Sequence, residues 1–97
     1  MYVRGDRWKE YVRQRIEVLT ARLNSLRPGL ERARQSVARL ENEAVPAGAT
    51  ALARAAQLSA ARAMATTLAE RERHLLIAIQ ALQAELADQT LTGHEQE

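Results

Sequence analysis

Stepping alternately by four and three from Val12 lands on Ile16, Leu19, Leu23, Leu26, Leu30, Ala33, Val37, Leu40 and Ala44, and every one of these residues is apolar. In a chain that is 46% apolar, chance gives such a run roughly once in three hundred sequences, so the spacing marks a heptad repeat. Ile16, Leu23, Leu30, Val37 and Ala44 take the a positions; Val12, Leu19, Leu26, Ala33 and Leu40 take d. The second half repeats the pattern, with Leu58, Ala65, Glu72, Ile79 and Leu86 on a and Ala61, Leu68, Leu75 and Leu82 on d. It weakens before Leu58, where Arg54 falls on d.

Two such stretches separated by a short breaker form a hairpin. Pro46 removes a backbone donor and Gly48 tolerates positive φ, so a helix stops between Val45 and Thr50. Thr50 is the expected N-cap of the next helix. A connection this short sets the helices antiparallel. The expectation is all-α: residues 1–97 as one helical-hairpin domain, with a helix over about 6–45, a turn at 46–49, a helix over about 50–90 and a flexible tail at 91–97. The helices would span roughly 50 and 60 Å.

Pro28-Gly29 falls inside the first helix. A turn there would give three helices, but the heptad passes from Leu26 to Leu30 without losing phase, which favours one kinked helix. A two-helix hairpin buries only one stripe per helix, and small cores of this kind are commonly completed by association. Pairing two hairpins into a four-helix bundle is the expected homodimer. Alanine crowds the start of the second helix, supporting helix formation and close approach of a neighbour.

Several classes of function lose support from composition. There is no cysteine, so thiolate metal sites and disulfides are excluded. His74 and His94 are too far apart for a helical metal pair. No glycine-rich phosphate loop or Ser/His/Asp set can be assembled. The reading is therefore a non-enzyme with no cofactor, no metal and no small-molecule substrate. The apolar run Leu75–Ile79 is far shorter than the roughly 20 residues of a membrane span, and there is no apolar leader. The expected location is the cytoplasm. Arg4-Gly5-Asp6 spells an adhesion tripeptide, but three residues recur by chance and nothing around them looks extracellular.

Net charge is +2, distributed unevenly. Residues 1–40 carry ten basic and four acidic side chains, and residues 41–97 carry four and eight. The halves attract, as suits helices lying side by side. Glu72 on a core a position needs a cation, and Arg22 on the flanking g position of the first helix is the expected partner. An arginine-rich first half also permits a nucleic-acid-associated protein as the second functional reading, though no nucleic-acid-binding motif accompanies it.

In an antiparallel pair the two g edges meet on one side and the two e edges on the other. The e/b side gathers Arg13, Glu17, Asn24, Arg27, Glu31 and Arg34. The g/c side gathers Trp8, Tyr11 and Val18 from the first helix with Met64, Ala78 and Ala81 from the second. Aromatics outside a core commonly anchor interfaces, so these six residues are the candidate partner-binding set. Leu76 and Ile77 do not fit this division.

Glu41 and Glu43 at the hairpin tip resemble the acidic coiled-coil tip of transcript-cleavage factors that enter RNA polymerase, which implies a transcription regulator. The hairpin as a whole resembles the small coiled-coil chaperones and stalk proteins of type III secretion and flagellar export. That likeness rests on architecture and no residue motif carries it. The function expected from the sequence is a coiled-coil interaction module: an adaptor, a small chaperone or an assembly subunit of a secretion- or phage-type machine.

Overall fold

The computed structural model describes residues 4–44 and 48–95, with side chains over 7–44 and 48–88. Two helices account for nearly all of it: α1, Arg4–Asn42, and α2, Ala49–Glu95. No strand occurs among the described residues. The helical hairpin expected from the heptads is the fold observed.

The chain divides into two units. The ends unit joins α1 up to Asn24 with α2 from Arg73, and the turn unit is Ser25–Glu72. Each has its own stretch of seam. In the ends unit, Leu19, Leu23 and Ile79 form a buried cluster, with Ile16, Leu75, Leu76, Ala78 and Leu82 packed against it. Leu76 sits at e beside the Leu75–Ile79 seam and widens the buried stripe to cover this cluster, which accounts for its presence. Ile77, one position on, is exposed. In the turn unit the buried side chains are Leu30, Ala33 and Leu40, all on predicted a or d positions.

α1 passes through Pro28 as one helix. Proline cannot donate to the carbonyl four residues back and leaves Asn24 without that bond. Pro28 occupies f, on the far side from the seam, and both residues are exposed, so water satisfies the freed carbonyl. Gly29 stands at g, where an added Cβ would lie 3.8 Å from Leu68 Cδ1. An alanine at this position would meet Leu68 in ordinary van der Waals contact.

The turn differs from expectation in two respects. α1 stops at Asn42, so Ala44 leaves the heptad and is exposed. The N-terminus of α2 is organised by Gly48 rather than Thr50. Gly48 has φ 72°, a conformation that glycine adopts without a Cβ penalty. Its carbonyl accepts from Ala51 N at 3.0 Å and Leu52 N at 3.4 Å, while Thr50 lies within the helix. Residues 45–47, including Pro46, lie outside the described residues. At the other end α2 runs to Glu95, past the end expected near residue 90, while Gln96 and Glu97 of the expected tail lie outside the described residues.

Arg54 explains why the heptad fails at its d position. A helix leaves its last four carbonyls without intrahelical donors. The Arg54 guanidinium reaches from α2 to the end of α1 and donates Nη2 to the Leu40 carbonyl at 2.5 Å and Nη1 to the Ala44 carbonyl at 2.6 Å. Its Nη1 also lies 3.4 Å from Glu43 Oε2, and the side chain is only 14% exposed. The cation meets the negative end of the α1 dipole, so arginine does at this level what leucine does elsewhere along the seam.

Candidate protein-interaction surface

The charged side chains sort into those paired within the fold and those turned outward. On the e side of the turn unit, Glu41 accepts from Arg62 Nη2 at 2.7 Å. Both are e positions, so this is the e-to-e contact of an antiparallel pair. Glu72 is paired with Arg27, at 3.1 Å from Nε to Oε2, and not with the expected Arg22. On the heptad wheel an a position adjoins e and not g, so in an antiparallel pair it faces the e edge of the other helix, where Arg27 stands. Glu72 is 23% exposed on its side chain and Arg27 is 50% exposed, so the pair is partly solvated and the carboxylate is not stranded in the core.

The acids of the tip are also paired. Glu43 lies 3.4 Å from Arg54 and 4.0 Å from Arg39, and Glu41 holds Arg62. The two glutamates thus complete the closure of the turn. A cleft of about 320 Å³ opens beside them, lined by Arg34, Val37, Arg62, Ala65 and Thr66. Among the described residues no cluster of three or more His, Cys, Asp or Glu side chains could hold a metal ion. None of the described helices is long and apolar enough to cross a membrane.

The g/c side of the ends unit is different in kind. Tyr11 is 63% exposed and Val18 44%. Both are c positions of α1, two turns apart, and so form one stripe. Their helical neighbours on either side are Arg7, Gln14 and Ala21 at f and Trp8, Arg15 and Arg22 at g. Arg7, Arg15 and Arg22 are exposed, and none has an ion-pair partner among the described residues. Trp8 is half-buried and has an interaction within the fold.

On α2, Ala78 at g is half-buried against the Leu19–Leu23–Ile79 cluster, and Ala81 at c is exposed. Glu85 at g and Asp88 at c continue this strip, and both are exposed. The ends unit therefore contains five of the six candidate residues: Trp8, Tyr11, Val18, Ala78 and Ala81. Met64, 55% exposed, belongs to the turn unit. The candidate set read from the sequence leaves out the charged members of this side, Arg7, Arg15, Arg22, Glu85 and Asp88; the three arginines counted there only towards a basic first half. Their signal was present in the same heptad register that selected Tyr11 and Val18. No protein-family model, no curated protein and no solved structure matches the chain.

Proposed function

We propose that the chain is a non-enzymatic coiled-coil interaction module, an adaptor or assembly subunit that binds protein through the g/c side of its ends unit. The observation that carries this is the exposed Tyr11–Val18 stripe, which the hairpin's own seam leaves uncovered. An aromatic and a branched side chain in line on a rigid helix supply apolar contact at little entropic cost, and arginines around them supply a polar rim.

The test is Tyr11→Ala with Val18→Ala in the full chain, read by light scattering on size exclusion and by circular dichroism. Association, with itself or with a co-purified protein, is expected to weaken at least tenfold, about 1.4 kcal/mol. Helicity should be kept, because neither residue is in the seam. Unchanged association would contradict the reading. The second reading, a nucleic-acid-associated protein, draws support from Arg7, Arg15 and Arg22 standing beside Tyr11. It requires retention on DNA or RNA that falls steeply with salt.

A further inference from the structure

We infer that the occupant of this face is a second copy of the chain, packed so that α1 of each protomer lies on α2 of the other. This deepens the interaction-module reading and rests on it. The face has two unlike halves. The α1 half is basic and carries the knobs: Tyr11 and Val18 among Arg7, Arg15 and Arg22. The α2 half is acidic and carries the small residues: Ala78 and Ala81, followed by Glu85 and Asp88. Each half is complementary to the other half, in charge and in size, and not to itself.

Two-fold symmetry offers two ways to lay this face on its copy. With the axis across the helices, α1 meets α1 antiparallel, which brings arginines against arginines and Glu85 against Glu85. Like charges placed across an interface disfavour that arrangement. With the axis along the helices, α1 of one protomer meets α2 of the other, again antiparallel. The two helices then face each other at the levels they share within one hairpin. Leu19 and Leu23 share their cluster with Ile79, and Leu82 packs against it, so Val18 stands level with Ala81. One turn towards the open end, Arg15 stands level with Glu85. The dimer then seats Val18 of each protomer on the partner's Ala78–Ala81 surface and pairs Arg15 with the partner's Glu85, twice by symmetry. The product is a four-helix bundle around the ends unit, with every neighbouring pair antiparallel.

The experiment uses two single charge reversals in the full chain, Arg15→Glu and Glu85→Arg. Each alone sets like charges against each other at both symmetric contacts. Each is expected to dimerise at least about tenfold more weakly than the parent by sedimentation or light scattering, with parent helicity. Mixed in equal amounts, they restore opposite charges at both contacts and should form a one-to-one heterodimer. A rearrangement inside one hairpin cannot give this result, since each variant keeps its like-charge pair within its own chain. A parent that stays monomeric to about 100 µM, variants that dimerise like the parent, or a mixture that fails to associate would overturn the second-copy assignment. If the parent is monomeric while Tyr11→Ala with Val18→Ala still loses a co-purified protein, the interaction face stands and only the identity of its occupant is wrong.

Discussion

Leu30→Ala should lower stability by about 2–4 kcal/mol, the usual cost of truncating a well-packed leucine. Leu30 occupies a in the turn unit and is 2% exposed, among the most completely buried side chains in the described chain. It is flanked along the α1 seam by Ala33 and Leu26, with Leu68 on α2 near the adjacent Gly29. A two-helix seam has few neighbours that can move into the space. For a chain of this size each 1 kcal/mol lowers the melting temperature by about 4–8 °C. Thermal unfolding followed by helicity should therefore show a drop on the order of 10–30 °C. Leu52→Ala is the control, because Leu52 is 75% exposed and its truncation should change little. Equal small effects from both variants would contradict the packing described.

Arg54→Leu should destabilise the hairpin by about 1–2 kcal/mol, although it replaces a charged residue on a d position with the residue the heptad asks for. Leucine would gain apolar contact, but it would remove the donors to the Leu40 and Ala44 carbonyls and the cation beside Glu43. Water can replace the donor at the exposed Ala44 carbonyl, but the Leu40 carbonyl is part-buried, and leaving it without a donor costs more than one leucine returns at the half-open end of a seam. Arg54→Lys should fall between the two, because one ammonium on a single stem does not present the forked pair of donors. The measurement is the denaturant midpoint at constant slope. A more stable Arg54→Leu variant would mean that burial, and not closure of the α1 terminus, decides this position.

These two positions separate what the sequence disclosed from what it did not. The seam was legible because its period is local: Val12, Leu19, Leu23, Leu30, Ala33, Leu40 and Ile79 are buried, and each had been placed on a or d by spacing alone. Pro28 was compatible with that period because it falls on f, where a missing donor faces water. Arg54 was legible only as an interruption. Its role depends on where the turn lands α2 relative to the last carbonyls of α1, and spacing along one helix carries no such information. Glu72 is a different case: its a position implies a cation and, because a adjoins e and not g, already points to Arg27 at e over Arg22 at g. Side-chain chemistry favours Thr50 as N-cap, yet Gly48 already provides the backbone conformation that begins α2.

For the candidate face, spacing placed Tyr11 and Val18 on c, and both are exposed. It also grouped Met64 with them, which belongs to the turn unit. Hydrophobic pattern selects which residues lie off the seam, but it does not weigh the charges between them. The opposite signs of Arg15 and Glu85, on the two helices of one side, became informative only once the packing of Leu19 and Leu23 with Ile79 fixed the level of one helix against the other.

The chain contains no cysteine, so thiols introduced at chosen positions report proximity without background. Val18→Cys and Ala81→Cys, prepared as separate single variants and mixed under mild oxidation, test the central claim most directly. A disulfide forms readily only between residues whose Cα atoms approach within about 7 Å, and in this mixture any bond joins two chains. The account predicts that the disulfide between residue 18 of one protomer and residue 81 of the other dominates. A product dominated by bonds between two copies of residue 18, or the absence of any cross-link at concentrations where the chain associates, would contradict it.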